Sequence, residues 1–167
     1  MLRESFARVA IVDVDLHHGN GTQDIFYARR DVWTGSLHAD PADFYPFFWG
    51  GVEETGEGEG EGANVNLPLP LGSGGQVFLD GWNRCSPGWP ITSPGHGGSA
   101  RPGCHKADPL AGLALETGDF TAVGRQLAEL DLPTVLVQEG GYPTDELGHN
   151  LAAFMAGFAG VREGTCQ

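Results

Sequence analysis

Asp13, Asp15, His17 and His18 form the densest polar cluster in the chain, at the end of an apolar run from Arg8 to Leu16 that reads as a buried strand. Side chains alternate along a strand, which puts Asp13, Asp15 and His17 on one side and His18 on the other. Two carboxylates desolvated next to each other repel unless a cation joins them. Carboxylate and imidazole donors suit zinc and similar divalent ions, and a catalytic ion takes three protein ligands with one position left for water. The third ligand must come from another strand. A second reading stays open: the carboxylates cap backbone N–H groups of the next helix and the histidines face solvent. Toward the other end, Glu139-Gly140-Gly141-Tyr142 places a tyrosine after two glycines. There it can approach a neighbouring site and donate a hydrogen bond to a developing oxyanion, although an ordinary turn tyrosine fits as well.

The elements that must position these residues begin with a β-α-β unit. The first strand is followed by a helix over Gly21 to Arg30 and a strand over Val32 to His38. Such a unit has parallel strands and a right-handed crossover, and sheets built this way carry their sites at the carboxyl ends of the strands. Asp40 to Gly75 reads as long loop: aromatics, then alternating Gly and Glu, then a Pro-bounded apolar stretch. Gln76 to Cys104 has Pro or Gly every few residues and no sustained period, so neither helix nor strand is expected there. Phe120, Val123, Leu127 and Leu130 then mark a helix, the run TVLVQ after Pro133 a second buried strand, and Leu147, Leu151, Phe154, Met155 and Phe158 a closing amphipathic helix.

Composition narrows the partners. The 167 residues allow one domain, and 9 Lys and Arg against 22 Asp and Glu give a net charge of −13. That balance argues against nucleic acid and anionic membranes, which need clustered basic groups, and suits a cationic partner or substrate. Three cysteines, Cys85, Cys104 and Cys166, have no zinc-finger spacing and no even pairing, which points to a reducing compartment. No apolar run is long enough to span a bilayer and no signal peptide is visible, so a cytoplasmic location is expected.

Five blocks in order carry a resemblance: DVDLHHGNGTQDIFY at Asp13 to Tyr27, SLHADPADFYPFF at Ser36 to Phe48, ETGEGEGEGANVNLPLP at Glu54 to Pro70, HKADPLAG at His105 to Gly112 and VQEGGY at Val137 to Tyr142. The chain resembles the histone deacetylase family, nearest its acetylpolyamine amidohydrolases and class II-like bacterial members. The resemblance implies a partial arginase/deacetylase-like α/β fold, a parallel sheet flanked by helices with long loops at the strand C-terminal ends, spanning residues 1–167. It implies zinc-dependent removal of acetyl groups from lysine side chains or polyamines. By motif position Asp15 and His17 match two zinc ligands, and Tyr142 the tyrosine that polarises the substrate carbonyl. Asp13 matches a carboxylate serving both a catalytic histidine and a potassium ion. Ser36, with backbone oxygens of Asp15, His17 and Leu37, matches the rest of that potassium site, and Tyr45 an aromatic wall of the acyl-lysine tunnel.

Two departures accompany the resemblance. The family's general-base histidine pair lies in a Pro-Gly-His-His stretch upstream of the first strand, and only seven residues precede that strand here. The PGHGG at Pro94 to Gly98 lies downstream and is assigned no role. The third zinc ligand is expected two residues before His105, where this chain has Gly103, and the strand leading to it is expected to be missing. Family-like sequence on both sides of an aberrant Pro/Gly-rich segment at 76–104 is what a shifted reading frame would produce. The expectation is a C-terminal portion of a deacetylase domain, impaired in zinc binding and turnover and marginally folded. The alternative is a non-catalytic remnant whose acidic loop meets a cationic partner.

Overall fold

In the computed structural model the described residues are 2–85, 96–99, 104–110, 112–138 and 141–164. A short helix α1 (Leu2–Ser5) precedes strand β1 (Val9–Asp13), helix α2 (Asn20–Phe26) and strand β2 (Val32–Ala39). Strand β3 (Asn64–Leu69), helix α3 (Gly75–Cys85) and strand β4 (His96–Ser99) follow. Helix α4 (Thr117–Ala128), strand β5 (Thr134–Val137) and helix α5 (Glu146–Gly164) complete the order. All strand pairs are parallel, in the order β3-β2-β1-β4-β5. The α/β class and the parallel sheet flanked by helices are as expected.

The chain lays strands outward from β1 to β2 and β3, then returns to the other side of β1 for β4 and β5. The gap between the carboxyl ends of β1 and β4 is therefore where the order reverses, the place where open α/β sheets hold their ligands. Every residue of β2 is buried, as expected of a parallel strand covered on both faces. Leu16, Leu37, Phe78 and Leu115 lie at the centre of the core. Helices α4 and α5 touch backbone to backbone: a Cβ on Gly124 would meet the Phe154 carbonyl oxygen and one on Gly157 that of Thr121. Among the described residues no helix is long and apolar enough to cross a membrane.

Four expectations need correction. The run TVLVQ, expected to be a buried strand, forms β5 with Val135 and Val137 each 49% exposed. The stretch Asp40 to Gly75 is not all loop, because NVNLPL forms β3. Pro68 hid it. As the outermost strand β3 has a partner on one side only, so a residue without an N–H is tolerated there. Residues 76–104 are not devoid of structure, since α3 covers all of the first ten of them. Phe78 and Trp82, one turn apart, are 1% and 3% exposed and anchor it, a four-residue spacing that the surrounding glycines and polar residues obscured. The strand expected to be missing is occupied by β4, which pairs with β1 through Ala10↔His96 to Asp13↔Ser99 and with β5 through His96↔Thr134 to Ser99↔Val137. His96, Gly97 and Gly98 of that stretch thus supply sheet backbone. His-Gly-Gly-Ser carries no β-branched residue, and pairing on both sides rather than propensity holds it extended. The rest of the aberrant segment, residues 86–95 and 100–103, lies outside the described residues.

Candidate active site

Beyond β1 the backbone turns, and its own carboxylates hold the turn. Asp13 Oδ1 accepts the amide of Asp15 at 3.0 Å, and Asp15 Oδ1 accepts the amide of His17 at 2.7 Å. The same Asp15 oxygen lies 3.1 Å from His17 Nδ1. Capping and convergence, separate readings of the sequence, coexist, but the amides capped belong to this turn. Gly19 is required by close approach, since a Cβ there would stand 2.6 Å from Asp13 Oδ2.

A cavity of about 650 Å³ opens above this turn, and Asp13, His17, Tyr45, Leu110 and Tyr142 are among the residues lining it. Asp15, 3% exposed, lies beneath His17. The His17 ring faces Phe44 and Tyr45, with centroids 5.3 and 6.0 Å away. The structure therefore gathers Asp13, Asp15, His17, Tyr45 and Tyr142 from the ends of β1, β2 and β5. Ser36 and Leu37 stand behind them on β2. Ser36 is the cross-strand partner of Asp13, and both line a second, small cavity beside His18; Leu37 is packed in the core.

Two donors bound to one tetrahedral zinc at roughly 2.0–2.1 Å stand roughly 3.3 Å apart, and the 3.1 Å between Asp15 Oδ1 and His17 Nδ1 matches such an edge. No set of three His, Cys, Asp or Glu able to hold a metal exists among the described residues. Cys104 is adjacent in space but unsuited: burial, then the neighbouring carboxylates of Asp15, Asp13 and Asp108, push its thiol well above the ordinary range, and its Sγ lies 3.3 Å from the Val14 carbonyl oxygen. Among the described residues Asp15 and His17 form a pair of candidate donors, and no third joins them. For potassium, the Ser36 hydroxyl is placed to donate to His38 Nδ1 at 2.8 Å, which leaves its lone pairs for a cation beside Asp13.

Several buried polar residues escaped sequence reasoning. Asp108, 7% exposed, faces Asp15, His17 and His105. Burial lifts its carboxyl above the usual range, against the Leu110 amide and the His17 charge. Behind the cavity, Gln23 Oε1 accepts from His18 Nε2 at 3.1 Å and from the side-chain amides of Asn64 and Asn66 at 2.8 Å each. Gln23 donates in turn to Glu54, whose carboxylate also accepts the amides of Gly50 and Gly51. Burial pushes Glu54 up, but these donors outweigh it and hold the group below its ordinary value. His38 donates from Nε2 to the Gly50 carbonyl at 3.1 Å. Burial and the neighbouring His18 ring bring its pKa down to about 4. Burial also lowers His18. The one signal in the sequence was polar residues at strand spacing, Asn64 and Asn66, inside an apolar run.

The chain is similar to known proteins. A family model described as histone deacetylase domain matches residues 1–90, more than half of the chain. Acetylpolyamine amidohydrolase 1 of Pseudomonas aeruginosa is 41% identical over 165 residues, covering 96% of this chain and 46% of that protein. Acetylpolyamine amidohydrolase of Burkholderia pseudomallei is 42% identical over 168 residues, covering 96% and 48%. A crystal structure of the acetylpolyamine aminohydrolase from Burkholderia pseudomallei superposes with a TM-score of 0.90, covering 94% of this chain and 46% of that one. The histone deacetylase Clr3 gives 0.83 at 29% identity, covering 95% and 28%. The chain spans about half the length of the curated relatives it matches.

Proposed function

The chain belongs to the histone deacetylase family, and from that premise we propose that its cavity is the acetyl-amide site of a zinc deacetylase, impaired as a hydrolase in this chain. The observation that carries the reading is the convergence of Asp13, His17, Tyr45 and Tyr142 on one cavity, with Asp15 beneath His17. The substrate class is an acetylated amine, a polyamine or a lysine side chain, in keeping with relatives that are acetylpolyamine amidohydrolases. Residues 1–167 correspond to one portion of a deacetylase domain.

In such a reaction water adds to the acetyl carbon, the C–N bond breaks, and the amine leaves with a proton. Tyr142 is the group that donates a hydrogen bond to the carbonyl oxygen as it gains charge. Phe44 and Tyr45 flank the acyl group against His17 and exclude water from that side. Asp15 and His17 are the two zinc donors. Asp13 and Ser36, with backbone oxygens that include that of Leu37, would hold potassium, and Asp13 would orient a catalytic histidine. A cytoplasmic location belongs to the same reading.

The test is nuclear magnetic resonance of the His17 imidazole and the Tyr142 ring with N-acetylputrescine added, alongside zinc content and amine release. Shifts at both residues with zinc below one per chain and little release are expected. One zinc per chain with steady release overturns the impairment, and silence at both residues overturns the site. The lack of a third donor among the described residues favours the second reading, a remnant that binds without turnover, and the same zinc measurement separates the two.

A further inference from the structure

The loop that follows Tyr45 inverts the usual order of burial. Its backbone is fixed inward: Gly50 N–H donates to Glu54 and Gly50 C=O accepts from buried His38, while Phe44 packs against the core. Its rings are turned outward, with Tyr45 61%, Phe47 52%, Phe48 87% and Trp49 51% exposed. Four aromatics in five residues held in water on a pinned loop is an uncommon arrangement, since rings of this size normally dominate cores and interfaces. Phe47 also has φ +64, a left-handed conformation that a bulky side chain adopts at a cost and that recurs at binding sites.

The rings are continuous with the cavity. Tyr45 lies 6.0 Å from the His17 ring and meets Phe47 edge-on at 6.3 Å, a line of aromatic faces leading from the floor outward. From Asp40 to Ala63 the chain carries seven carboxylates and no Lys or Arg, and the exposed Asp43 and Glu53 bracket the rings. Aromatic faces among carboxylates attract ammonium groups and their methylene stems: the ring quadrupole holds the charge, the carboxylates raise its local concentration, and the apolar face covers the stem.

We propose that Phe47, Phe48 and Trp49 form a rim that receives the free ammonium end of an acetylated polyamine whose acetyl group enters the cavity beside His17. The proposal rests on the acetyl-amide reading of the cavity and adds to it what selects among acetylated amines. An exposed cation–π contact corresponds to about a two- to fivefold change in affinity for each ring.

The probes are N-acetylputrescine and the neutral N-butylacetamide, titrated by calorimetry into the full chain, Phe47→Leu and the double variant Phe48→Ala/Trp49→Ala, each checked for folding by circular dichroism. Phe47→Leu keeps apolar bulk and removes the π face, so it separates ring chemistry from loss of fold. The expected result is at least about tenfold preference for the ammonium compound in the unaltered chain. Each variant should lose about fivefold of it with N-butylacetamide binding unchanged. No preference in the unaltered chain, an unchanged preference in the variants, or rings covered by a second copy in light scattering overturns the rim. If N-butylacetamide does not bind but the ammonium preference persists and falls in the variants, the acetyl-amide reading fails while the rim stands.

Discussion

A third donor would decide what the Asp15–His17 pair can hold. Asp15 Oδ1 and His17 Nδ1 stand 3.1 Å apart, and among the described residues no third donor joins them. Gly103→Asp is expected to raise zinc affinity by more than about tenfold, because even a group that merely orients a zinc ligand is worth 10- to 100-fold. Competition against a chromogenic chelator measures it, and an unchanged affinity means that position 103 does not face the pair. Gly50 makes a second case. At φ +104, a Cβ would also sit 2.6 Å from His38 Nε2 and 2.8 Å from His18 Cγ. Gly50→Ala should cost about 3 kcal/mol in urea unfolding, from backbone strain plus overpacking; a loss under about 1 kcal/mol would show that the loop relaxes freely. His38 sets a pH dependence. It titrates at about 4 when folded against 6.5 unfolded, so the unfolded chain takes up the proton first as pH falls. Its contribution, on the order of 3 kcal/mol, is complete above pH 6.5 and is lost as pH falls toward 4. Urea midpoints at pH 7, 5.5 and 4.5 should fall in that order, and a flat series contradicts a neutral buried His38.

At the scale of elements, β4 makes the sharpest claim. Flanked by β1 and β5, its amides should exchange with deuterium more slowly than those of the one-sided β5; exchange as fast as free peptide would remove β4 from the sheet. The elements legible in the sequence were those whose apolar spacing matched their own period: β1, α2, β2, α4, β5 and α5 all lie within a few residues of their expected spans. Those missed owe their conformation to neighbours. β3 contains a proline tolerated at an edge, α3 buries Phe78 and Trp82 among glycines, and β4 is glycine held by partners. The site divides the same way. Asp13, Asp15, His17, Tyr45 and Tyr142 could be named from motif positions. Gln23, His38, Glu54 and Asp108 matter through burial and distant hydrogen bonds that no local spacing encodes.

Across the whole molecule, charge and an open sheet edge oppose each other. Val135 and Val137 of β5 are each 49% exposed on the outer strand, although the run TVLVQ reads as buried. An exposed apolar edge invites pairing with another chain, and a net charge of −13 repels that partner. Screening should tip the balance. Light scattering should show larger species as salt rises from about 0.05 to about 1 M, where the Debye length falls to about 3 Å. Val137→Lys should suppress them, and salt-independent scattering would mean that the edge is inert. The strand order also sets a timetable for folding. Residues 9–69 hold three strands that pair in sequence, whereas Ala10 to Asp13 gain their other neighbours only from residues 96 to 99. That closure spans a long stretch of chain and is correspondingly slow. A nascent chain still on the ribosome can hold β1 to β3 assembled while the Asp13 rim waits, half built, for glycines synthesised more than eighty residues later.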